Sequence, residues 1–119
     1  KEENNLLLNL MKKLYRVKDN RDFSKIIKEG KKVKTTAFSV YYLNNSLNYT
    51  RVGISVSKKI GNAVVRSTTR RRIRAVIDTT LNFQDFSLDI IVIARSNILN
   101  ISHEELIGCF KEVLESIKK

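Results

Sequence analysis

The sequence predicts a single α+β domain built on a mixed β-sheet. Three observations lead there. Apolar and polar residues alternate over 33–43 and over 49–57, the period of a half-buried strand. Apolar residues recur at three- and four-residue spacing over 19–29, over 63–80 and beyond Ser102, the period of an amphipathic helix. A short run, Leu88 to Ala94, is apolar on both faces apart from Asp89, as a strand covered on both sides must be. The order reads αββαβα. Strands flanking one helix imply a parallel pair joined by a helical crossover.

Each element has a local reason. Residues 1–10 are rich in Glu and Asn and read as an N-terminal extension, non-native or flexible. Met11-Lys12-Lys13 resembles a natural start, so the domain is placed over 11–119. From Asp19 to Glu29, Phe23, Ile26 and Ile27 share one helical face; Asn20 can cap it, and Gly30 suits the left-handed position that ends it. In the strand from Val33 to Leu43, Phe38, Val40 and Tyr42 face one way, with Ala37, Ser39 and Tyr41 opposite. Asn44-Asn45-Ser46 is turn chemistry. From Tyr49 to Ser57, Val52, Ile54 and Val56 face inward and Arg51, Gly53 and Ser55 outward, which predicts a hairpin with the preceding strand. Gly61-Asn62 breaks the chain before a helix over Ala63 to Thr80. Its packing stripe is Val65, Thr69, Ile73, Val76 and Ile77, and Arg66, Arg70 and Arg74 fall on another face. Ser102-x-x-Glu105 is a capping box. It opens a last helix that buries Leu106, Ile107, Phe110, Val113, Leu114 and Ile117.

Charge narrows the function. Across 119 residues, 23 Lys and Arg outnumber 12 Asp and Glu, a net +11. Between Glu29 and Asp78 there is no acid, yet that stretch holds eleven bases. The remaining twelve bases balance the twelve acids, so the whole excess belongs to the middle of the chain. A field this concentrated attracts a polyanion and gains from counterion release. Solubility alone would not require acids to be excluded from one segment. An anionic membrane fits less well, since no helix pairs its basic face with large apolar anchors. The longest apolar run, Ile90 to Ala94, falls far short of the ~20 residues that cross a bilayer. No secretory pattern opens the chain, and the lone Cys109 excludes an intrachain disulfide. A cytoplasmic protein is expected.

The junction Lys58-Lys59-Ile60-Gly61-Asn62-Ala63-Val64-Val65-Arg66 joins a strand to the basic helix. Amides at the helix start can hold a phosphate, and the arginines offer forked donors. Spacing alone says only that the helix binds nucleic acid. The longer stretch from Arg51 to Arg66, RVGISVSKKIGNAVVR, closely resembles the signature of the bacterial ribonuclease P protein family. Tyr15-Arg16-Val17-Lys18 with Asp22-Phe23, the strand Asp89 to Arg95 and the Ser102 helix extend the resemblance from about Met11 to Ile117.

The resemblance implies αβββαβα order, a four-stranded mixed sheet packed by helices, and a left-handed βαβ crossover. A fourth short strand is therefore expected near Ala37 to Tyr49. It implies that the catalytic part is an RNA, which removes the 5′ leader of precursor tRNA with Mg2+ held at the RNA and none bound tightly here. The expected partners are that RNA and precursor tRNA, with no membrane and no obligate protein partner. Carried over by position, the RNA-facing residues are Lys58, Lys59, Asn62, Arg66, Arg70, Arg71 and Arg74. The leader cleft is Phe23, Ile27, Ser39 and Tyr41. An aromatic wall beside a basic groove is how single strands are held without strict sequence choice.

Two departures stand out. The family pattern continues Arg-Asn-Arg where this chain has Arg66-Ser67-Thr68. Ser67 can still donate to a phosphate, but Thr68 brings no charge, and Arg72 is the expected compensation. Ile27 stands where an aromatic is usual, costing a stacking surface of about 1–3 kcal/mol per base. Plainer readings exist for several residues. Phe23 could be core, Tyr41 an ordinary exposed strand residue, and the arginine row a solvated helix face. His103 suits solvation of a helix start, and Cys109 suits packing. Asp89 is expected to pair with a base rather than hold a metal. No catalytic set surrounds His103, and the basic segment lacks the carboxylates a metal nuclease needs. The rival functions are a plain RNA-binding module of ribosomal or chaperone type, and a DNA-binding protein using the Ala63 helix. That helix has no evident partner for a helix-turn-helix arrangement.

Overall fold

In the computed structural model, residues 16–17, 20–82, 84 and 86–118 are described. The extension over 1–10 and Met11 lie outside them. Helix α1 spans Asn20–Glu29, followed by strands β1 (Lys31–Lys34), β2 (Phe38–Asn44) and β3 (Arg51–Ser55). Helix α2 spans Ala63–Thr80, β4 Leu88–Ala94, a 3-10 turn Ser96–Asn100, and helix α3 His103–Lys118. The order is αβββαβα, around one four-stranded sheet in the order β1-β2-β4-β3.

β4 takes an inner position because it is apolar on both faces. It pairs antiparallel with β2 and parallel with β3, which gives the expected parallel pair across α2. The hairpin expected between β2 and β3 does not form, because β4 lies between them. The hairpin is instead β1 with β2, Val33 opposite Val40. The fourth strand also lies earlier than expected, at Lys31–Lys34 rather than within 37–49. The stretch read as one strand from Val33 is broken by a turn at Thr35. The Thr35 N–H donates to the Phe38 carbonyl at 2.8 Å, and its hydroxyl accepts from the Phe38 N–H at 3.2 Å. Arg95 clamps that turn, its Nη1 donating to the Thr35 carbonyl at 2.8 Å.

The larger core lies between the sheet and helices α2 and α3. Phe38, Val40, Ile90 and Val92 meet Ile73, Val76 and Ile77 from α2 and Leu106, Phe110 and Val113 from α3, all buried. Phe38 and Phe110 pack edge to face, centroids 6.1 Å apart, which adds about 0.5–1.5 kcal/mol beyond area burial. The α2 stripe is as expected, with Val65 partly buried beside it. The Ser102 cap also forms, its Oγ accepting from the Glu105 N–H at 3.2 Å.

The opposite face carries a smaller core of Val17, Ile26 and Ile91, bordered by Phe23, Tyr41, Leu43 and Ile93. Helix α1 covers this face only in part. Asn20, expected as its cap, is its first helical residue. Gly30 is not left-handed. It is small because a Cβ there would strike the Ile26 carbonyl and approach the Tyr42 carbonyl oxygen to 2.7 Å. Among the described residues, no helix is long and apolar enough to cross a membrane.

Candidate nucleic-acid interface

The site is built around β3 and the start of α2. After β3, Lys58 and Lys59 stand exposed on a tight turn closed by the Ile60 N–H on the Ser57 carbonyl at 3.1 Å. Buried Ile60 pins that turn to the core. Asn62 caps α2, its Oδ1 accepting from the Val65 N–H at 3.0 Å. The first turn of α2 contains no acid. Further along, Arg70 and Arg71 are exposed, and Arg66 and Arg74 half-buried. The Arg66 Nε is buried without a hydrogen-bond partner among the described residues.

Between α1, β3 and α2 runs a groove of about 390 Å3. Phe23 reaches it from α1, Gly53 from β3, and Ser67, Arg70, Arg71 and Arg74 from α2. Arg16 joins them because Val17 adds to the outer edge of β3, its N–H donating to the Val52 carbonyl at 3.1 Å. Among the described residues, no carboxylate lines the groove. Burial, and then the charge of Arg16, push the Arg74 guanidinium below its ordinary pKa, with Asp78 pulling the other way. The groove therefore concentrates like charge that an anion would relieve.

Of the two expected sets, the structure joins Phe23 to Arg70, Arg71 and Arg74. Lys58, Lys59, Asn62 and Arg66 do not line that groove; they stand at the N-terminal end of α2. Ile27, 40% exposed, lies on α1. Ser39 and Tyr41 sit across β4 on the α1 side of the sheet, opposite Ile93 and Ile91 respectively. Lys32 Nζ stands 5.5 Å from the Tyr41 ring centroid. Phe23 is half-buried, so its ring serves both readings: it fills the space over Gly53 and keeps a face toward the groove. His103 is exposed at the start of α3 and Cys109 is half-buried against the larger core.

Arg16, Gly53 and Ser67 belong to the groove although the sequence reading did not place them there. Only the chain's return along β3 could reveal Arg16. Arg72 is a correction. Rather than supplying charge to the groove, it donates to the carbonyls of Ile98 and Ile101 and ties the 3-10 turn to α2. Asp89 pairs as expected. Arg51 grips it with two bonds, Nε to Oδ1 at 2.9 Å and Nη2 to Oδ2 at 2.7 Å, and Asn45 donates to Oδ1 at 2.8 Å. The hydrogen bond to Asp89 raises the Arg51 pKa above its ordinary value, against the opposing effect of burial. Asp22 of α1 lies 3.6 Å from the same guanidinium.

A basic helix flanking a partly open sheet face defines a protein that takes a polyanionic chain. The comparisons make that class particular. The family described as Ribonuclease P matches residues 11–118. The ribonuclease P protein component of Streptococcus pyogenes serotype M5 (strain Manfredo) is 49% identical over 96 residues, covering 81% of this chain and 80% of that protein. A Staphylococcus aureus RNase P protein mutant with defective mRNA degradation activity superposes with a TM-score of 0.83 at 38% identity, over 95% of this chain and 96% of that one. The RNase P protein from Thermotoga maritima gives 0.73 at 27% identity, over 85% and 96%. This chain belongs to the ribonuclease P protein family.

Proposed function

We propose that this chain is the protein subunit that works with a ribonuclease P RNA in 5′ maturation of tRNA. One observation carries the reading: the groove where Phe23 meets Arg70, Arg71 and Arg74 with no carboxylate among the described residues that line it. The arginines neutralise phosphates through forked donors. The half-exposed ring of Phe23 offers a face on which a base can stack. Phe23, Ile27, Ser39 and Tyr41 hold the single-stranded leader. Lys58, Lys59, Asn62 and Arg66 extend the positive surface toward the RNA subunit.

Catalysis is assigned to the RNA, with Mg2+ held there. The groove's own part in that division is electrostatic, because its arginines and phenyl ring answer phosphates and bases rather than a metal ion. The protein's part is to bind, align and neutralise, in the cytoplasm.

The test is precursor-tRNA cleavage at low magnesium, with this chain, a bacterial ribonuclease P RNA, or both. Cleavage that requires both supports the reading. RNA binding without stimulation of cleavage would favour a plain RNA-binding module. Cleavage by the protein alone would place a catalytic centre in this chain and overturn it.

A further inference from the structure

β1 is an edge strand of four residues, and three of them are lysines. Lysine on an edge deters pairing with another chain. That role is indifferent to which face each lysine takes. The register is more specific. Partners across an antiparallel pair share a face, so Lys32, opposite Tyr41, and Lys34, opposite Ser39, stand on the α1 side. Val33 between them packs against the larger core. Two rows cross that side of the sheet: Lys32, Tyr41, Ile91, Gly53, and then Lys34, Ser39, Ile93, Ser55. In the second row Ser39, Ile93 and Ser55 all remain half-exposed.

Neither lysine has a carboxylate partner among the described residues. Lys32 instead lies over the Tyr41 ring, 5.5 Å from its centroid. The ring's negative face attracts the ammonium and holds it over the sheet. The open face is thus bounded by positive charge on both sides: the α2 arginines beyond β3, and Lys32 and Lys34 on β1. Three strand spacings separate the edges, about 14 Å. Between them lie small polar groups, Ile93 and aromatic rings, and no carboxylate interrupts either row.

We propose that Lys32 and Lys34 form a second phosphate-binding edge, gripping the RNA leader where its path leaves the sheet across β1. The inference rests on the cleft being a single-strand site, as proposed above. It adds a far end to that site and sets a minimum leader length for using it.

The test replaces both residues, Lys32→Gln with Lys34→Gln, and measures affinity of the reconstituted holoenzyme for precursor tRNAs whose leaders grow one nucleotide at a time. Lys31→Gln is the control. It removes one charge from the same strand, against two in the double variant, but Lys31 pairs with Tyr42 on the opposite face. All three side chains are exposed, and thermal melts check that the variants fold. The double variant should match the parent on the shortest leaders and fall behind once the leader spans the sheet. With counterion release of about 0.7 per phosphate on a single strand, two lost contacts lower the salt slope by about 1.4 and the affinity at 0.1 M salt by about 25-fold. An equal deficit at every leader length, or an equal deficit per lost charge in the Lys31 control, would mean a general field and overturn the proposal. No deficit would overturn it too. A parent whose affinity ignores leader length would refute the single-strand reading itself, and the second edge with it.

Discussion

Gly53→Ala should unseat the Phe23 ring. A Cβ at position 53 would stand 2.5 Å from Phe23 Cζ and 2.9 Å from Ile91 Cδ1. Ile91 is fully buried, so its Cδ1 can yield by only a few tenths of an ångström. Phe23 is half-exposed, so the ring must swing toward the groove. Overpacking of this kind costs about 1–3 kcal/mol, and for a domain of this size each kcal/mol lowers Tm by about 3–6 °C. Leader affinity should fall as well, since losing one base–aromatic stack costs about 1–3 kcal/mol, or about 5- to 150-fold. Urea and thermal unfolding read the first effect, and precursor-tRNA binding the second. Phe23→Leu made in the Gly53→Ala background separates them. The smaller side chain relieves the clash, so part of the stability returns with a coupling energy of about 0.5–3 kcal/mol, while leader affinity stays low. If Gly53→Ala melts with the parent and shows no coupling to position 23, the ring is not seated on that glycine and the reasoning fails.

Other substitutions divide stability from binding. Asp89→Ala leaves Arg51 half-buried without its main partner and should cost about 3–5 kcal/mol in urea unfolding; a loss below 1 kcal/mol would show that the pair is dispensable. Asp22→Asn touches the same guanidinium from an exposed position, with 39% of the side chain accessible, so its stability cost should stay under about 1 kcal/mol. Its effect should appear instead as weaker leader binding, since Asp22 precedes Phe23 on α1 and its contact with Arg51 links that helix to β3; equal leader affinity in the variant counts against that link. Arg72→Ala removes charged hydrogen bonds to the Ile98 and Ile101 carbonyls and should destabilise the fold by about 1.5–3 kcal/mol. The salt slope of RNA binding should not change. A lower slope at unchanged stability would restore Arg72 to the RNA surface.

What could be read in the sequence was what the chain settles locally. The bounds of α2 follow from Asn62 and a stripe ending at Ile77, and those of β4 from a run with one polar residue. β1 was hidden because three of its four residues are lysine, so only Val33 carries an apolar signal. Thr35 and Thr36 are β-branched, so local propensity continues the strand through them. The break depends on a threonine hydroxyl and on Arg95, sixty residues away. The wrong hairpin has the same origin: adjacency in sequence favoured β2 with β3, and a more apolar strand from later in the chain displaced that pairing. Arg71 and Arg72 are neighbours that a charge count treats alike. Their difference comes from the carbonyls that the 3-10 turn presents to one of them.

The groove itself is open because β3 keeps it open. On the α1 side, this strand offers Arg51, Gly53 and Ser55. Arg51 is drawn to the end of the sheet by Asp89 and Asp22, leaving only a hydrogen atom and a hydroxymethyl group along the rest of that face. Across β4, Ser39 does the same on β2. Ile91 and Ile93 between them would ordinarily call for apolar neighbours and a longer covering helix. α1 instead closes over Ile91 and leaves the Ile93 row half-exposed. Small residues there give up burial worth about 25 cal/mol per Å2 of apolar surface. In return they leave a shallow floor beside arginines that share the groove with no carboxylate among the described residues. A sheet selected for stability alone would place Val or Ile at 39, 53 and 55, which would close the floor and push Phe23 out.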